Sequence, residues 1–330
     1  MFEEEIPGIF DKKILVIGNS FSIDATYYLR DIVKAYTGMK DTKLKIGVMY
    51  HGSSYAKKQW EVIKGNDKTY FQYYENGLNK GGMGVEEVLF MEKWDIIILQ
   101  HFTAYEGLME EYNTGEYAFS PYLVKIAEFV NNKCSEVEIM VHQTWSYEVG
   151  FEVCSEVEQQ RKMTENSCVM NKRIADEISI RLYNEKGKVK VIPSGEVMQY
   201  ARESKNIYGK MMFMTEFSRE DLKTLDDKLD IGAKDYSGEK IKLNRDGFHA
   251  SMPGRFLLAL VWFKFIFGKD FEDIYFLPTE EMDILSMGYD YEGNTKSIYL
   301  SFEKIPEEYI DCIKEVVRNY FEEKSKGYGE

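Results

Sequence analysis

The sequence predicts an α/β protein built on a doubly wound parallel sheet of about five strands, with helices layered on both faces. Three observations carry this. The runs Ile14-Leu15-Val16-Ile17 and Ile96-Ile97-Ile98-Leu99 are continuously apolar, which suits strands covered on both sides. Such runs alternate with helical patterns along the chain, and that alternation calls for right-handed crossovers between parallel strands. Residues able to do chemistry also recur just after the runs, at the carboxyl ends where open α/β sheets bind ligands. A flavodoxin-like strand order in three layers, α/β/α, is the arrangement these features fit.

Taken in order, Lys13 to Ile17 forms the first strand and belongs in mid-sheet. A helix from about Ile23 to Tyr36 follows, with Leu29, Ile32 and Val33 at helical spacing. Leu44 to Tyr50 reads as the second strand, and Tyr70-Phe71-Gln72-Tyr73-Tyr74 as part of a short surface hairpin. Gly81-Gly82-Met83-Gly84 follows no strand and lacks the Lys-Ser/Thr of a phosphate loop, so it reads as a lead into a helix over Val85 to Met91. The third strand is Asp95 to Leu99, the next helix Pro121 to Asn131, and the fourth strand Val137 to His142. A long amphipathic helix spans Glu156 to Tyr183 with a break expected near Asn166-Ser167, and Lys188 to Ile192 is the fifth strand. Pro193 suits the first turn of another helix, with Ser194 as its cap. Residues 204 to 245 are the least regular part, a lid, substrate wall or small subdomain. Ser251 and Pro253 open a helix that is apolar on most faces from Phe256 to Phe267, and Pro306 to Phe321 carries one further apolar stripe. The organisation expected is one domain over 1–330, with an insertion at about 204–245 and an accessory segment at about 270–330.

Two stretches hold the chemistry. Gly18-Asn19-Ser20 places a serine where the first strand meets a helix, and Asp246-Gly247-Phe248-His249 sets a carboxylate three residues before an imidazole on a glycine turn. A carboxylate there can fix the ring's tautomer and leave its other nitrogen facing outward, as a base for a serine hydroxyl requires. Ser20, Asp246 and His249 are the candidate catalytic residues. Gly52, after the second strand, would let its N–H approach a ligand, or it simply serves a turn. His142 and Trp145 follow the fourth strand, either as substrate contacts or as a core histidine and a packing tryptophan.

Gly18-Asn19-Ser20-Phe21-Ser22 resembles the first block of the GDSL or SGNH hydrolases, with asparagine in the aspartate position, and Asp246-x-x-His249 resembles their last. Gly52-Ser53-Ser54 resembles the glycine block, and Trp94 to Gln100 the strand that ends in the third; together these span residues 13 to about 265. The resemblance implies an ester hydrolase needing neither metal nor cofactor, acting on a small-molecule or carbohydrate ester, acetyl groups above all. It also implies an oxyanion hole from the amides of Ser20 and Gly52 and a side-chain amide. The family's third block carries asparagine, whereas this strand ends Gln100-His101-Phe102-Thr103. Gln100 is the nearest substitute donor and Thr103 the second, with Thr103 also a possible substrate contact; alternatively Gln100 hydrogen-bonds loop backbone and shapes the edge. A chain that had lost this donor would be a catalytically weak carbohydrate-binding protein, the alternative from another class.

Composition bounds the partners. A net charge of −14 argues against nucleic acid or an anionic membrane, because a phosphate-binding surface needs a basic excess. Four cysteines without a C-x-x-C pair indicate neither zinc ribbon nor disulfide framework. The acidic start Met1-Phe2-Glu3-Glu4-Glu5 has no apolar signal core and no run of ~18 apolar residues follows, so a cytoplasmic protein is expected. Oligomeric state is open.

Overall fold

The computed structural model describes residues 8–101, 119–147, 149, 154–204, 248–250, 252–272, 274, 283–289, 295–301 and 307–327. Its centre is a sheet of β1 (Lys13–Gly18), β2 (Lys45–Tyr50), β3 (Gln72–Glu75), β4 (Leu78–Gly82), β5 (Ile96–Gln100), β6 (Glu138–His142) and β7 (Lys190–Ile192), in the order β4-β3-β2-β1-β5-β6-β7. Strands β2, β1, β5, β6 and β7 are parallel and take the flavodoxin-like order. The sheet has seven strands and not five, because the hairpin β3–β4 pairs antiparallel onto β2. Phe71 and Tyr73 explain the difference: both are fully enclosed, so the segment read as a surface hairpin anchors itself in the core and covers what would be an open edge.

The unbroken apolar runs resolve into two cores by the period-two rule of strands. Ile14 and Val16 of β1 and Ile96 and Ile98 of β5 face one layer of helices, while Leu15, Ile17, Ile97 and Leu99 face the other. The first layer holds α1 (Ser20–Thr26), α2 (Leu29–Thr37), α7 (Ser194–Glu203), α8 (Met252–Phe267) and α9 (Glu307–Gly327). The second holds α3 (Ala56–Gly65), α4 (Val85–Met91) and α5 (Tyr122–Lys133); the long α6 (Val157–Tyr183) reaches both cores. Every residue from Phe256 to Phe263 of α8 is fully buried, which is why that helix carries no polar face.

Several elements depart from the sequence reading. The helix expected over Ile23 to Tyr36 is two helices, divided at Tyr27–Tyr28, where Tyr28 buries its ring and stacks edge-on to Tyr27. No break interrupts α6, since Ser167 and Asn171 satisfy each other within it: the Asn171 amide donates to Ser167 O at 2.8 Å. Ser194 is the first residue of α7 and makes no capping bond; its hydroxyl points into the core instead. A second, two-stranded sheet pairs β8 (Asp283–Tyr289) with β9 (Thr295–Ser301) in the segment where the sequence pattern shows only the later helix. The insertion at about 204–245 lies, from residue 205 on, outside the described residues.

Candidate active site

The parallel strands bring the expected residues to one edge. Ser20 follows β1, Gly52 follows β2, and Gln100 and His142 end β5 and β6, all at the carboxyl side. Asp246 and Thr103 lie outside the described residues.

Ser20 opens α1 and is partly exposed, with its position set by a polar scaffold beneath it. Asn19 caps the helix: its side-chain oxygen accepts from Phe21 N at 3.1 Å, and its amide nitrogen donates to Ser54 O at 3.4 Å. The Asn19 backbone N–H and the Ser22 hydroxyl both donate to Gln100 Oε1, at 2.8 and 2.9 Å. Gln100 Nε2 donates to His101 O. Gln100 therefore spends its carboxamide inward, with no side-chain exposure, and supports the serine turn from below. These bonds match the arrangement in which Gln100 holds loop backbone and shapes the edge. Gly18 is required by this scaffold, because a Cβ there would collide with Gln100 Oε1 and Ser22 Oγ.

The β2 loop is tied to the same point. His51 N and the Ser54 hydroxyl both donate to Gly18 O, at 3.3 and 3.1 Å, and Gln59 Nε2 donates to Ser54 Oγ at 2.9 Å. Residues 51–54 form a turn closed by Ser54 N to His51 O at 3.3 Å, with Ser53 in the left-handed region at φ 53°. A serine held there stores local strain, and the turn leaves Gly52 exposed beside the strand end. His51 stacks face to face on Tyr70, ring centroids 3.8 Å apart, a neighbour of the turn.

His249 arrives from far along the chain and docks against α1. Its ring lies 5.9 Å from that of Phe21, the residue after Ser20, and Ala250 N donates to Asp24 Oδ2 at 3.0 Å. On the other side Trp145 Nε1 donates to Phe248 O at 2.7 Å while its ring packs edge-on to Phe21 at 4.6 Å. Trp145, at 2% exposure, thus braces the histidine loop, the packing arrangement of the two expected for it. Among the described residues no hydrogen bond joins Ser20 Oγ to His249.

The side chain of His142, at its strand end, is fully buried. Its Nε2 meets Ser194 Oγ at 3.0 Å, that hydroxyl accepts from Trp262 Nε1 at 3.2 Å, and the ring stands edge-on to Trp262 at 4.9 Å. The Ser194 hydroxyl, with one donor and two acceptor sites, thus joins the imidazole and the indole in one buried polar contact. Burial pushes the pKa of His142 down to about 3, and it does the same to His101, whose Nδ1 accepts from Ala56 N at 3.1 Å. Both rings stay neutral in the fold while the unfolded chain protonates near 6.5, so their stability is full above that pH and is lost as pH falls toward 3. At pH 5 each histidine should cost about 2 kcal/mol, and His142→Gln should flatten the stability-versus-pH curve between pH 7 and 5. Urea unfolding across that range is the measurement; equal slopes in wild type and variant would show that the ring is solvated.

Residues the sequence reading missed are Asp24, Arg255 and the Asn19 and Gln59 amides. A signal existed for two of them: Asp24 sits one helical turn after Ser20 on an otherwise buried face, and Arg255 is a charge in the first turn of the most apolar helix. Among the described residues no group of three or more His, Cys, Asp or Glu side chains is placed to hold a metal ion, and no helix is long and apolar enough to cross a membrane.

These features define a doubly wound α/β protein with a partly exposed serine at the end of its first strand and a histidine loop docked beside it. The chain belongs to the family described as a domain of unknown function, DUF4886, whose model matches residues 13–232. It shares its fold with a DUF4886 family protein from Bacteroides uniformis, at 23% identity, 94% coverage of each chain and a TM-score of 0.62. More distant similarity is found to a lipase/acylhydrolase from Enterococcus faecalis, at 13% identity, 78% of this chain, 96% of that one and a TM-score of 0.41. A catalytic mutant of an acetylxylan esterase from Geobacillus stearothermophilus is similar at 12% identity, 79% of this chain, 95% of that one and a TM-score of 0.42. No curated protein matches the chain.

Proposed function

We propose that this protein is a serine ester hydrolase in which Ser20 is the nucleophile and His249 its general base, with Asp246 orienting the imidazole. The observation that carries the reading is the docking of Phe248–Ala250 against the first turn of the helix that Ser20 opens, through Phe21, Trp145 and Asp24. Distant segments meet there, one carrying the Ser20 hydroxyl at a strand end and the other the His249 imidazole. In the reaction His249 takes the Ser20 proton as Oγ attacks the ester carbonyl, then returns it to the departing alcohol; water repeats the cycle on the acyl-enzyme. The N–H groups of Ser20 and Gly52 are the proposed oxyanion donors. The substrate class is a small acyl ester, acetyl on carbohydrate first, as the SGNH-like motifs suggest. We place the protein in the cytoplasm, with no nucleic-acid or membrane partner.

Labelling by a fluorophosphonate tests the reading directly. The wild type should gain one phosphonyl adduct, mapped by mass spectrometry to the peptide containing Ser20, and Ser20→Ala should gain none. An adduct elsewhere, or equal labelling of the variant, ends the assignment.

One observation favours a second reading, a carbohydrate-binding protein with feeble turnover: Gln100 Nε2 donates to His101 O, a bond it would have to give up to serve in place of the family's third-block asparagine. Undetectable wild-type turnover across a panel of acetylated sugars, together with saturable sugar binding, would select it.

A further inference from the structure

Asp24 and Arg255 form a buried ion pair that the proposed chemistry does not use. Arg255 Nη2 lies 2.6 Å from Asp24 Oδ1, with side-chain exposures of 11% and 2%. The second carboxylate oxygen, Oδ2, accepts from Ala250 N at 3.0 Å, the residue next to His249. The guanidinium is held in turn over the face of Tyr27, 4.9 Å from its centroid. One carboxylate thus joins three pieces of chain: the helix that Ser20 opens, the histidine loop, and the first turn of α8.

A buried pair is a poor device for stability, since the cost of desolvating both ions offsets most of their attraction. Its directional bonds fix geometry, and here they span the gap that a serine and its base must hold. Asp24 lies one turn from Ser20, so its carboxylate moves with the nucleophile as a rigid body, while Ala250 N moves with the base.

We propose that Asp24, held by Arg255, is a positioning residue that sets the separation of Ser20 and His249; this rests on reading those two as nucleophile and base. Removing the tie should slow the chemical step without weakening substrate binding, because misplacement of about 1 Å can cost about 100-fold in rate.

The test compares two double variants that each remove both charges and so leave no unpaired ion in the interior. Asp24→Leu/Arg255→Met removes the acceptor for Ala250 N, whereas Asp24→Asn/Arg255→Gln keeps an oxygen there and a neutral partner for it. On p-nitrophenyl acetate the first should lose about 100-fold in kcat with KM changed less than about threefold, and the second should recover most of that loss. Equal kcat in the two variants, or wild-type kcat in the first, overturns the proposal while the wild type remains a Ser20-dependent hydrolase. No Ser20-dependent turnover in the wild type removes the underlying reading, and the proposal with it. If circular dichroism shows the first variant unfolded, Asp24→Glu is judged by the same split, since it keeps the ion pair but moves the oxygen away from Ala250 N.

Discussion

Ser20→Ala and His249→Ala should each reduce hydrolysis of p-nitrophenyl acetate by about 10⁴-fold or more, and the double variant should be no slower than either single one. The expectation of a shared floor follows from the way the two groups act. A serine hydroxyl is a weak nucleophile until a base removes its proton, and the base has nothing to activate once the hydroxyl is gone, so either loss deletes the same step. What survives is the contribution of the backbone donors and of substrate binding, which neither substitution touches. Structural damage should be small in Ser20→Ala, because the helix it opens is capped by Asn19 and not by Ser20. Initial rates and thermal midpoints measured on the same preparations separate lost chemistry from lost fold. Rates for the three variants that fall additively would mean that Ser20 and His249 do not act as a unit, and a Ser20→Ala enzyme as fast as wild type would place the nucleophile elsewhere.

Much of this architecture is legible in the sequence because its signal is local. Ile14 to Ile17 and Ile96 to Leu99 are apolar at every position, and only a strand with a core on each side consumes such a run. Placing Ser20, Gly52 and Gln100 at the ends of parallel strands then puts them on one edge with no further information. What the sequence conceals is partnership at a distance. Tyr73 reads the same whether its hairpin floats on the surface or extends the sheet, and the choice is made by β2, which needs an edge partner. Ser194 looks like a cap from its neighbours; Trp262 and His142 recruit it inward, and neither is near it in sequence. Asp24 is the same case in the active region, since the groups that define its task, Ala250 N and Arg255, lie more than two hundred residues away.

Gln100 gives the second large effect, and it separates two roles that a rate measurement alone would confuse. An oxyanion donor strengthens its bond mainly in the transition state, so its loss would lower kcat by ~10²–10³ while leaving the fold as stable as before. The observed arrangement predicts a different pattern. Gln100→Ala strips the acceptor from two buried donors, Asn19 N and Ser22 Oγ, and the donor from His101 O, while opening a cavity under the Ser20 turn. Each unsatisfied buried group costs roughly 1–3 kcal/mol where water cannot reach it, so the unfolding free energy should fall by about 3–5 kcal/mol in all. Turnover should fall as well, because Asn19 is the residue that fixes where Ser20 stands. The denaturant midpoint and kcat should therefore drop together in Gln100→Ala. A variant with a wild-type midpoint and a collapsed kcat would return Gln100 to the oxyanion hole, and one with both unchanged would mean that the polar scaffold beneath Ser20 is not what holds it.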